Sequence, residues 1–130
     1  MTGPRDWIDF AKEDLELAKL ALEKAIYNQT CFHAQQGLEK GLKAFLKTRQ
    51  VGIPRIHGLS ELVSLCRNYD DAFVKLEDAC AKLDPYYIPT RYPDVFPGTG
   101  MEGLPTRQKA EEAVALLKDG LSWIESKIGK

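Results

Sequence analysis

The sequence predicts an all-α protein, an up-and-down bundle of four long helices plus one short helix. Two observations carry this. Apolar residues recur every three or four positions over most of the chain, and no segment alternates apolar and polar residues as a half-buried strand would. A third observation adds a long Pro/Gly-rich loop before the last helix: Pro85, Pro89, Pro93, Pro97 and Pro105 fall in one stretch with Gly98, Gly100 and Gly103. At 130 residues the chain is expected to form a single domain, 1–130, around one core.

From Asp6 to about Tyr27, the stripe Trp7, Ala11, Leu15, Ala18, Leu22 and Ala25 predicts a long helix started by Pro4 and Asp6. Lys12, Glu16, Lys19 and Glu23 occupy another face of it. Asn28 and Thr30 offer a break and a new N-cap, after which Cys31, Ala34, Leu38, Leu42 and Phe45 mark a second helix to about Arg49. A connection this short makes the two helices antiparallel neighbours. Gly37 and Gly41, each about 1 kcal/mol worse than alanine within a helix, mark a tight helix crossing. The run VGIPRIHG breaks the pattern, and Leu59, Leu62, Val63 and Cys66 give the short helix. Phe73, Leu76, Cys80 and Leu83 continue a helix from about Asp70 that Pro85 stops. After the loop, Ala110, Ala113, Leu117, Leu121 and Ile124 form the last stripe, from Thr106 to near Gly129.

The formal net charge is -1, so no global field draws the chain to nucleic acid or a membrane surface, and any anion site must be local. No apolar run approaches the roughly 20 residues of a membrane span, and the first residues read as an amphipathic helix, which predicts a cytoplasmic protein away from the membrane. Cys31, Cys66 and Cys80 lack zinc or redox spacing and read as small buried hydrophobes. Phosphate-loop, zincin, nucleophile-elbow and EF-hand motifs are all missing, so no metal or cofactor is expected.

Three groups of residues are candidates for chemistry. In the loop, Tyr86, Tyr87, Arg91 and Tyr92 can stack on a base and grip a phosphate; alternatively the tyrosines pin the loop to the bundle while Arg91 pairs with Asp94. On the second helix, Gln36, Lys40, Lys43 and Lys47 share one side. They form either a basic strip for phosphates or a solvated face with Glu39 paired to Lys43. His57, in the turn before the short helix, can serve acid–base chemistry or phosphate binding, or it can hydrogen-bond backbone groups at the helix start. His33 has no second ligand at a metal-binding step.

Taken in order, DWIDFAKEDLELAKLAL, CFHAQQGLEKGLKAFL, HGLSELV and LDPYYIPTRYPD before a terminal helix resemble the HEPN domain (higher eukaryotes and prokaryotes nucleotide-binding) over nearly the whole chain. That resemblance implies a helical bundle, a homodimer and a nucleotide or RNA site along a groove at or near the dimer interface. It also implies a minimal nucleotidyltransferase as partner, often in a toxin–antitoxin pair. Some members are metal-independent ribonucleases whose motif is an arginine, about four to six intervening residues, and a histidine that acts on the ribose 2'-OH or the leaving group. This sequence departs from that motif, since Arg49 has seven residues between it and His57, and Arg55 has one. The resemblance therefore implies a nucleotide-binding accessory subunit, with Gln36, Lys40, Lys43, His57, Tyr87, Arg91 and Tyr92 as the positions shared with the family pattern. A ribonuclease using His57 with an arginine brought close by folding is the alternative, and a protein-interaction module without ligand is another.

Overall fold

The computed structural model describes residues 3–87 and 104–129, and among these every regular element is helical. Helix α1 spans Pro4–Glu23, α2 Tyr27–Thr48, α3 Leu59–Arg67, α4 Glu77–Leu83 and α5 Arg107–Ile128. Short 3-10 helices at Asp71–Leu76 and Asp84–Tyr86 flank α4. The segment expected as one helix from Asp70 to Leu83 is thus helical throughout but in two grades. Asp70 starts it by accepting a hydrogen bond from the Ala72 amide at 3.0 Å.

The start of α1 follows its sequence signal: Pro4 stands in the first turn, and Asp6 reaches back to accept from the Gly3 amide at 2.8 Å. The start of α2 does not. The chain turns at Ala25, which adopts φ of 59°, and α2 is already formed at Tyr27. Thr30, read from sequence as the new cap, lies inside the helix and donates its hydroxyl to the Ile26 carbonyl one turn back. An alanine in the left-handed region carries no sequence signal, so Asn28 and Thr30 pointed a few residues too late.

Helix α2 is the axis of the molecule and packs against α1, α5, α3 and α4. Gly37 and Gly41 mark the crossing with α5: a Cβ on Gly37 would stand 2.7 Å from a Leu117 methyl, and one on Gly41 would stand 3.1 Å from Ile124 Cδ1. These contacts run in the same direction along both helices, so α5 lies parallel to α2, while the α1–α2 hairpin makes α1 antiparallel to both. Leu38, Leu42, Phe45, Leu62, Phe73, Leu117 and Ile124 fill the core, with the Phe45 and Phe73 rings 4.3 Å apart and Trp123 edge-on to Phe73. The three cysteines are fully buried, and desolvation pushes each thiol up to about 12, which leaves them neutral packing groups as expected.

Candidate functional site

Because α2 is surrounded, its polar residues cannot all reach water. Gln35, Glu39 and Lys43, one turn apart in succession, are all buried. Buried polar groups need partners, and here they find one another. Glu39 is the hub. Its Oε2 accepts from Lys43 Nζ at 2.9 Å and lies 3.1 Å from His57 Nδ1, while Oε1 is 3.4 Å from Gln36 Nε2. Gln36 donates more closely to the Gln35 side-chain oxygen Oε1 at 2.7 Å, and Gln35 Nε2 donates to the His57 backbone carbonyl at 3.0 Å. The expected Glu39–Lys43 pair exists, but as an interior bond; the reading of this side of α2 as a uniformly solvated face is corrected at Lys43.

A second centre lies on the α1 side. Asp14, 4% exposed, accepts from Lys40 Nζ at 2.7 Å and meets His33 Nδ1 at 2.9 Å. Lys40 is therefore neutralised by Asp14, which is not among the candidate residues read from the sequence. The sequence held a signal for it: Asp14 stands three residues after Ala11 and four before Ala18, on the apolar stripe of α1 where a carboxylate needs a partner. His33, dismissed for lack of a neighbouring ligand along the chain, has its carboxylate across the hairpin.

His57 does not hydrogen-bond the backbone at the start of α3. That role belongs to Asp84, whose carboxylate accepts from the Leu59 amide at 2.6 Å and the Ser60 amide at 3.2 Å. His57 instead lies with its ring stacked on Tyr87, centroids 5.0 Å apart and planes 7° from parallel, and its side chain is 51% exposed. Asp84 ties the 57–60 turn to the segment carrying Tyr87, so the stack and the helix cap depend on one another. Tyr86 points elsewhere: its hydroxyl meets the Cys31 thiol, and burial pushes the phenol up to about 12. Gln36, Lys43, His57 and Tyr87 thus gather around Glu39, Lys40 sits at the adjoining Asp14 centre, and Arg91 and Tyr92 lie outside the described residues.

Chemically, this is a half-exposed aromatic shelf over a polar network whose lysines are already matched by carboxylates. The shelf suits a planar ring, and the Glu39 contact fixes the His57 ring so that Nε2 is left for an outside partner. Among the described residues no cluster of histidine, cysteine and carboxylate side chains could hold a metal ion.

Comparison with known proteins fits this architecture. The family model described as HEPN domain matches residues 4–127. A provisionally named toxin, MJ1304, of Methanocaldococcus jannaschii is 29% identical over 126 residues, covering 92% of this chain and 82% of that protein. Among solved structures, TT1696 from Thermus thermophilus superposes with a TM-score of 0.84 at 35% identity, covering 98% of this chain and 99% of that one. ST0689, an archaeal HEPN homologue, superposes with a TM-score of 0.80 at 29% identity, covering 99% of this chain and 100% of that one. With a family match over nearly its whole length, this chain belongs to the HEPN domain family.

Proposed function

We propose that the chain is a nucleotide-binding accessory subunit that works in the cytoplasm, as a homodimer, beside a separate minimal nucleotidyltransferase in a toxin–antitoxin-like pair. The observation that carries the binding role is the His57–Tyr87 stack anchored on Glu39. A nucleobase finds a flat aromatic face there, with the Gln36 amide close by for its edge. Lys40 and Lys43 are already matched by Asp14 and Glu39, so in this reading Arg91, with Tyr92, supplies the phosphate contact. The toxin name carried by the Methanocaldococcus jannaschii relative supports the pair.

Calorimetric titration with nucleoside triphosphates tests the binding role. Loss of one stacking partner in Tyr87→Ala is expected to weaken binding by about tenfold, in line with roughly 1–3 kcal/mol for an aromatic–base stack. Arg91→Ala is expected to weaken nucleotides more than nucleosides. No binding by the wild type, or equal binding by both variants, removes the proposal. The partner role is tested by co-expression with a minimal nucleotidyltransferase, where a stable complex is expected.

The Glu39–His57 contact also favours a second reading, a ribonuclease, because a carboxylate that orients an imidazole is what acid–base catalysis requires. RNA cleavage that persists in EDTA and disappears in His57→Ala would establish it. Arg49, one arginine that mechanism would recruit, instead lies over the Phe45 ring at 5.2 Å.

A further inference from the structure

We infer that the seam between α1 and α5, remote from the shelf, is a second binding site for a small organic phosphate with an apolar body. Helices α1 and α5 run antiparallel there, in a register fixed by two ion pairs that share one carboxylate. Lys12 Nζ meets Glu125 at 2.9 Å, and Arg5 holds the same carboxylate at 3.1 Å. Seven residues on, which is about two turns, the same register brings Lys19 opposite Lys118. Where the first position matches a cation with an anion, this one sets two lysines on the same groove.

Among the described residues neither Lys19 nor Lys118 has a carboxylate within ion-pair distance, although Glu16 and Glu23 stand at helical spacing from Lys19. Both lysines are exposed and free to reposition. Between the two positions lies an open groove of about 340 Å³, at the lower end of small-ligand sites, with Leu15 and Leu121 as its apolar floor and Ser122 also lining it. Glu125 also lines it but is already shared by Arg5 and Lys12, which leaves Glu16 as the one uncommitted carboxylate against two uncommitted lysines.

Two like charges lining one groove are unfavourable unless an anion comes between them, and a dianionic phosphate matches two ammonium groups. The leucine floor then selects a phosphate that carries an apolar group over one that does not. The groove lies on the opposite flank of α1 from the shelf network: Lys12 is two residues from Asp14, which places the two side chains about 200° apart around the helix.

The test is titration of the intact chain with inorganic phosphate and with phenyl phosphate, followed by backbone amide NMR shifts. The expected result is that phenyl phosphate shifts amides in 15–19 and 118–122 and binds about tenfold tighter than inorganic phosphate. Lys19→Ala and Lys118→Ala should each weaken it severalfold, while Lys82→Ala, far from the seam, should not. Lys118→Glu adds a readout independent of ligand: it recreates the Lys12–Glu125 arrangement at the second position, and is expected to raise Tm while abolishing phosphate binding. No shift in 15–19 and 118–122, binding read at those amides unchanged in the Lys19 and Lys118 variants, or a lowered Tm in Lys118→Glu would each overturn the inference. Tyr87→Ala should leave the shifts in 15–19 and 118–122 intact while weakening nucleotide binding at the shelf, so the two sites can fail separately.

Discussion

Glu39 and Lys43 meet at 2.9 Å inside the bundle with their side chains 8% and 6% exposed, and this pair decides what the polar side of α2 can tolerate. Removing one charge strands the other in a poorly solvated place, which typically costs about 3–5 kcal/mol, whereas replacing both with apolar residues of similar size is often close to neutral. Glu39→Met should therefore be strongly destabilising. Glu39→Met combined with Lys43→Met should recover most of the loss, as read by denaturant melts of the four chains in a double-mutant cycle. Additive losses would show that the pair contributes little and that Glu39 acts mainly through His57. The site was only partly legible at this scale. Gln36, Lys43, His57 and Tyr87 could be singled out from their types and spacing, because a lysine strip and a turn histidine beside aromatics are visible in one dimension. Asp14 and Asp84 could not be assigned their partners, since each acts on residues about twenty or more positions away, His33 and Lys40 for one and the Leu59 and Ser60 amides for the other.

At the scale of elements, the α2–α5 crossing turns on the absence of two Cβ atoms, and the two glycines are not equivalent. A Cβ on Gly37 would lie 2.7 and 2.9 Å from the two Leu117 methyls and 3.3 Å from the Ala11 carbonyl oxygen, so it is confined from two helices at once. A Cβ on Gly41 would meet Ile124 Cδ1 at 3.1 Å and Leu121 Cδ1 at 3.3 Å, contacts that a shift of a few tenths of an ångström relieves. Alanine gains roughly 1 kcal/mol in helix propensity at either place. Overpacking a tight core site costs about 1–3 kcal/mol. Gly37→Ala is therefore expected to destabilise on balance and Gly41→Ala to fall near neutral, measured as shifts in denaturation midpoint. Adding Leu117→Ala to Gly37→Ala should cost less than the two single losses together, because the new methyl fills part of the cavity. The helices themselves were readable because their stripes have a helical period, and the glycine pair announced a crossing four residues long. The start of α2 was not, since a turn closed by Ala25 at positive φ has no residue type that advertises it. The same limit applies to the 3-10 geometry of 71–76, because Phe73 and Leu76 are three apart and satisfy either helix.

Over the whole molecule, α5 is held at its C-terminal end by two charge clusters that join distant parts of the chain. Glu125 takes Lys12 and Arg5 from α1, and Lys127 reaches Asp70 at the turn before the 3-10 helix at 2.7 Å. The hydrogen bond from Lys12 does most to hold the Glu125 carboxyl below its ordinary value of 4.5, with Arg5 adding to it and partial desolvation opposing. The Lys127 ammonium, then the Ala72 amide, holds Asp70 below 3.8. A carboxyl whose pKa is lower folded than unfolded stabilises the fold fully above its unfolded pKa and loses that contribution as pH falls through the folded value. Protonation thus unfastens α5 from α1 and from the Asp70 turn over the same acid range. Glu125→Gln with Asp70→Asn removes both charges while keeping hydrogen-bonding groups of the same size, and asparagine still caps a helix. This double variant should melt a few degrees below wild type at about pH 7, and the gap should close towards about pH 2, where the wild-type carboxylates are themselves protonated. Raising salt at neutral pH should narrow the gap as well, because all three pairs are partly solvated and screened. A gap that stays constant across the acid range would mean that shape and packing, rather than charge, fasten the end of α5.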